Sequence, residues 1–81
     1  MIRIAFEEVI DYLKELEEDN TIPRNIKMKI SQIIKMLEEE GDSNIIKNRV
    51  MDELDDISND TNLQSFTRTQ IWHVVSMLEN A

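Results

Sequence analysis

The chain has no cysteine, one glycine and one proline. Without Cys, neither a disulfide nor a thiolate metal site can staple the fold, and one Gly leaves no glycine-rich loop to cradle a phosphate. No apolar run approaches the roughly 20 residues of a membrane span. The segment Met1-Ile2-Arg3-Ile4-Ala5-Phe6-Glu7-Glu8 puts acidic residues where a signal peptide needs an apolar core. The expectation is a cytoplasmic protein with no disordered appendage at either end. Basic residues are also scarce: nine Lys and Arg stand against 17 Asp and Glu, for a formal charge of −8. Affinity for nucleic acid rests largely on Lys and Arg neutralising phosphates, and an acidic chain is likewise repelled by anionic membranes. The one local basic group, Arg24, Lys27, Lys29 and Lys35, runs straight into Glu38-Glu39-Glu40. The balance argues against direct nucleic-acid binding and against a membrane partner.

What is present is a repeat. A shift of 41 positions without gaps places Leu13, Leu16, Asp19, Ile22, Ile30, Ile33 and Ile34 on Leu54, Ile57, Asp60, Leu63, Ile71, Val74 and Val75. The same shift lays Met36-Leu37-Glu38 on Met77-Leu78-Glu79. Apolar matches are cheap, because any two amphipathic hairpins align at their seams. The turns carry more weight. Asp19-Asn20-Thr21-Ile22 and Asp60-Thr61-Asn62-Leu63 both set an Asp three residues before an aliphatic, and Lys27 and Arg68 follow at matching places. A helical repeat of this length lies in the range of HEAT and armadillo units, but such arrays need at least about three copies. Two copies are expected to close on each other.

The helical reading follows from spacing and punctuation. A first helix is expected over about 3–18, on a seam of Ile2, Phe6, Val9, Leu13 and Leu16 at intervals of the coiled-coil kind. The acidic run at Glu15, Glu17, Glu18 and Asp19 sits where a helix dipole prefers cations, so the helix stops there. Thr21 is the expected cap of a second helix over 23–40, with Pro23 in its first turn and Ile26, Ile30, Ile33 and Leu37 inward. Gly41 reads as its terminator, and Asp42 or Ser43 as the cap of a third helix over 44–58, with Ile46, Val50, Leu54 and Ile57 inward. Asn59-Asp60-Thr61-Asn62 is a turn by composition, and a fourth helix over 65–80 turns Ile71, Val74 and Leu78 inward. Short loops predict antiparallel neighbours. The fold class is therefore all-α: one domain over 1–81, an up-and-down four-helix bundle of two repeated hairpins, 1–40 and 42–81.

Little chemistry is visible. Glu38-Glu39-Glu40-Asp42 and Asp52-Glu53-Asp55-Asp56 are acidic runs, but adjacent carboxylates on a helix diverge, and no calcium loop with a central Gly is present. A di-metal bundle wants a Glu-x-x-His motif from each of two helices. The chain has one His, and Gln70 occupies the position three before His73. That His is expected at the rim. Ser65, Thr67 and Thr69 read as caps and turn formers, with no elbow to make a Ser nucleophilic. Asp19 with Arg24 or Lys27, and Asp60 with Arg68, are candidate ion pairs across the turns, of structural character. No cofactor, metal or catalytic constellation is implied.

Trp72 is the outlier. It lies roughly 100–120° from Ile71 and Leu78 on a helix. Its stripe, Arg68, Trp72, Val75 and Glu79, matches Lys27, Ser31, Ile34 and Glu38 in the first copy, so Trp stands where the first copy has Ser. Trp beside Arg is the composition of an interface hot spot. A bundle this small usually buries its only Trp, here in a groove against the third or first helix with Arg68 stacked on the ring. Of the methionines, Met28 points away from its seam, while Met36 and Met77 flank theirs. Met is common on adaptable binding surfaces.

Three stretches are distinctive: Glu18-Asp19-Asn20-Thr21-Ile22-Pro23-Arg24-Asn25-Ile26, Asp56-Ile57-Ser58-Asn59-Asp60-Thr61-Asn62 and Thr67-Arg68-Thr69-Gln70-Ile71-Trp72. With the length and charge, they resemble a small archaeal family catalogued only as uncharacterised protein family 0147. The resemblance covers nearly the whole chain. It implies a four-helix bundle and an archaeal source, and it brings no activity and no catalytic residues. Thr61 and Gln64 depart from the Pro expected at those sites, which would loosen the second turn. The functional expectation is a small acidic non-catalytic interaction protein. Arg68, Trp72 and Val75 are its candidate contact for a protein partner. A homodimer through the same surface is the alternative, and a metal-dependent enzyme a more remote one.

Overall fold

The computed structural model describes residues 2–80, with side chains from Phe6 onward. Four helices follow one another: α1 (Ile2–Glu17), α2 (Arg24–Glu38), α3 (Ser43–Ser58) and α4 (Ser65–Glu79). Each packs on the next, and α4 closes back on α1, so the two hairpins form one up-and-down bundle. Helices α2 and α4 stand diagonally across it.

The seams fill the centre. Val9, Leu13, Ile30, Ile33, Val50, Leu54, Ile57, Ile71, Val74 and Leu78 are fully enclosed. The structure adds Ile10, Ile34 and Thr67 to the expected inward residues. Each lies beside a seam, which widens a two-residue stripe into the broader face a globular bundle needs. Ile46, expected inward, is half-buried, because it stands near the open end where α3 begins. The side chain of Ile2, part of the expected seam, lies outside the described residues.

The helix ends show how the repeat is built. Thr21, expected to cap α2, instead donates its backbone N–H to Asp19 Oδ1 at 2.8 Å and its hydroxyl to the same oxygen at 2.6 Å. Pro23 takes the cap position, with no side-chain cap bond, and α2 starts at Arg24. In the second turn Asn62 N–H donates to Asp60 Oδ1 at 2.8 Å, and Gln64 holds the cap position that Pro23 holds in the first. Ile22 N–H donates to Asp19 O, and Leu63 N–H to Asp60 O, each at 3.2 Å. Both turns thereby aim an aliphatic residue into the bundle, where Ile22 and Leu63 are buried. The middle connection differs. Gly41 has φ +151°, a region that side chains disfavour, and it lies two residues past the C-cap Glu39. Asp42 then caps α3, its Oδ1 accepting from the N–H groups of Asn44 and Ile45.

Candidate functional site

Trp72 is 56% exposed, near the middle of α4. The ring does not pack into the groove that single-Trp bundles usually provide, and Arg68 is not free to stack upon it. Arg68 donates from Nε to Ser58 O at 2.9 Å and from Nη2 to Asp60 O at 3.0 Å. Its fork satisfies carbonyls at the end of α3, where a helix leaves acceptors without partners and favours a cation. The expected Asp60–Arg68 pair is thus made through the Asp60 carbonyl, while its carboxylate serves the turn. Val75 is half-buried against the core. Of the three candidate contact residues, then, Trp72 stands out, Val75 borders it, and Arg68 is tied down between α3 and α4.

Phe66 joins Trp72 on the outside at 70% exposed. Sequence reasoning passed over it, although a signal was available: the repeat places Phe66 on Asn25, as it places Trp72 on Ser31. The exposed residues of α4 are Ser65, Phe66, Thr69, Trp72, His73, Ser76 and Glu79, and only Glu79, at the very end, is charged. This is unusual in a chain that is 32% charged. Depletion of charge around exposed aromatics is the compositional mark of an interface core. His73 is exposed, as expected, and its ring meets Tyr12 of α1 with centroids 5.1 Å apart at 54°. Burial against α4, and then the charge of Glu15, raise the Tyr12 hydroxyl above its ordinary pKa, so it stays neutral.

No group of three or more His, Cys, Asp or Glu side chains converges as a metal site among the described residues. The one ion pair recorded there, Lys29 to Asp56 at 3.2 Å, joins α2 to α3 on the surface and contributes about 0–1 kcal/mol. A cleft of about 400 Å³ opens at one end of the bundle, lined by Phe6, Leu37, Glu39, Glu40, Gly41, Ser43 and Ile46. Its polar groups are carboxylates and one hydroxyl, with no base–nucleophile pair. No helix among the described residues is long and apolar enough to cross a membrane.

Compared with known proteins, residues 2–81 match the model of uncharacterised protein family UPF0147. The chain belongs to that family. A UPF0147 protein of Methanocaldococcus jannaschii is 41% identical over 68 residues, covering 83% of this chain and 73% of the relative. One from Methanothermobacter thermautotrophicus is 36% identical over 77 residues, 94% of this chain and 76% of the relative. The crystal structure of a UPF0147 protein from Thermoplasma acidophilum superposes with a TM-score of 0.87 at 31% identity, covering 94% of this chain and 91% of that one. A second crystal structure, of a protein of unknown function, gives 0.88 at 36% identity, covering 95% and 89%. The resemblance read from the turns and the all-α bundle both hold, and the UPF0147 relatives are archaeal. The family has no assigned activity.

Proposed function

We propose that this UPF0147 chain is a small non-catalytic interaction protein, and that a protein partner docks across the outer face of α4. The observation that carries the reading is Trp72, 56% exposed on a helix whose exposed residues carry no charge except Glu79 near its end. Leaving a Trp half in water forgoes hydrophobic stabilisation that the same residue would supply in a core. A partner that covers the ring recovers it. Val75 continues the apolar surface inward, and Arg68 holds α4 against the α3 turn, so the face is rigid before binding.

Site-specific photo-crosslinking in native extract tests this. A crosslinker at Ser76, one turn from Trp72, is compared with one at Gln32, exposed on the opposite helix α2. The expected result is a single stoichiometric adduct from Ser76, none from Gln32, and loss of the adduct in a folded Trp72→Ser variant. Equal adducts from both positions, or an adduct indifferent to Trp72→Ser, would sink the reading. An adduct of the chain with itself would replace the partner by a second copy.

A further inference from the structure

The charge around the α4 face is not the average of the molecule. Tyr12 marks the flank of α1 that meets α4, through its contact with His73. Glu8 and Glu15 stand one turn before and one turn after Tyr12 on that flank, and both are exposed. On the other side, Ser58 marks the flank of α3 that meets α4, through its bond to Arg68. Asp55 stands exposed one turn before Ser58, and Lys47, eleven residues before Ser58, returns to the same flank. The aromatic face therefore has an acidic rim of Glu8 and Glu15 along α1, and along α3 Asp55 with Lys47. Four of the cations, Arg24, Lys27, Lys29 and Lys35, belong to α2, diagonally opposite, and those beside the face are Lys47 on the Ser58 flank of α3 and Arg68, whose fork is committed to the carbonyls of Ser58 and Asp60.

We infer that the occupant of the α4 face is a protein surface with an apolar centre ringed by Lys and Arg, and not a symmetric second copy. This rests on the reading of the α4 face given above. Apolar contact at Phe66 and Trp72 supplies the centre, and complementary charge at the rim selects and steers the partner. A two-fold dimer with antiparallel α4 helices would oppose the Glu8 and Glu15 rim of one copy to the same rim of the other, with each copy bringing a charge of −8. A nucleic acid finds one uncommitted cation on the rim, Lys47, against the carboxylates of Glu8, Glu15 and Asp55. The one self-contact that charge permits sets α4 of one copy on α2 of the next, where Met28 is exposed among Arg24 and Lys35. That arrangement is head-to-tail, and would give a ring or an open assembly and not a two-fold dimer.

The test uses the full chain, whose one Trp reports on the face through its own emission. Two synthetic amphipathic helical peptides share an apolar stripe, one flanked by Lys and the other by Glu. At low salt the Lys peptide is expected to bind roughly tenfold or more tighter and to shift Trp72 emission to shorter wavelength. Neutralising the rim by Glu15→Gln with Asp55→Asn weakens it about threefold or more, while Glu39→Gln with Glu40→Gln, away from the face, does not. Equal weakening by both pairs would mean generic attraction to an acidic protein and overturn the inference. Unshifted emission, with binding indifferent to Trp72→Ser, would overturn the α4 reading itself. Binding that needs Trp72 but ignores the rim pair would keep that reading and discard the charge rule. Sedimentation of the chain alone completes the test: a monomer is expected, and a Trp72-dependent dimer or growing assembly would assign the face to a second copy.

Discussion

Helices α2 and α4 occupy equivalent places in the two copies, and they have diverged on one side only. Inward, the correspondence is close: Ile30, Ile33 and Leu37 align with Ile71, Val74 and Leu78, all buried. Outward, α2 carries Arg24 and Lys35 where α4 carries Ser65 and Ser76, and on the flank half-buried Lys29 gives way to half-buried Gln70. Asn25 and Ser31 give way to Phe66 and Trp72. Packing constrains a buried face in both copies alike, since volume changes there are costly. The outer face is released from that demand, so a loss of charge with a gain of aromatics there points away from folding and toward contact.

The sharpest test of the shared inner face is Ile30→Ala beside Ile71→Ala. Both side chains are fully enclosed, so each variant should lose about 2–5 kcal/mol in urea unfolding, and by similar amounts. A large inequality would break the equivalence and make one hairpin the structural partner of the other. A smaller difference is expected at the paired cations. Arg68→Lys removes a planar fork shared between Ser58 O and Asp60 O and should cost about 1–2 kcal/mol. Lys27→Ala, at the matching place in the first copy, should stay within about 0.5 kcal/mol. The outer positions come next. Trp72→Ser should change stability by less than about 1 kcal/mol while abolishing the partner adduct, and Ser31→Trp should restore no binding. If Ser31→Trp did bind the partner, exposed Trp alone would suffice and the neutral surroundings of Trp72 would be irrelevant.

The sequence carried the bundle plainly, because helix spacing, two matching turns and a single Gly all agreed on where elements begin and end. The boundaries of α3 and α4 differ from expectation by no more than a residue. The capping detail was less legible. Thr21 is a good cap by type, but Asp19 two residues earlier competes for its hydroxyl and its N–H, and the turn wins. The candidate site was half visible. Trp72 stood out by the Ser31 comparison, yet periodicity alone cannot say whether a residue beside a seam enters a groove, as Ile34 does, or stays out, as Trp72 does. That depends on the rotation of α4 between α3 and α1, which Arg68 and the Tyr12–His73 contact help to hold. The acidic rim was not legible either, since it joins residues of α1 and α3 that only the folded arrangement sets beside α4.

The smallest effect separates the two turns. The hydroxyl of Thr21, and after it the Thr21 N–H, hold the Asp19 carboxyl below its ordinary pKa. A depressed carboxyl stabilises the fold above the ordinary carboxylate range, and that contribution is lost as pH falls through the folded value. Thr21→Val deletes the hydroxyl bond but keeps the N–H bond. The Asp19 titration, followed by carbonyl NMR, should move up part of the way toward an unperturbed Asp. This turn's pH-dependent contribution should then be smaller, and the window over which acid removes it should end at higher pH. Asn62 stands where Thr21 stands and offers Asp60 an N–H bond at 2.8 Å. Asn62→Thr supplies the second turn with the hydroxyl of the first. If the two turns are one design, the variant should reproduce the 2.6 Å contact and leave stability at neutral pH within about 0.5 kcal/mol. If the added hydroxyl instead disturbs the Arg68 bond to Asp60 O, stability should fall as it does in Arg68→Lys. The second turn would then owe its shape to the cation, and only the first to its Asp–Thr pair.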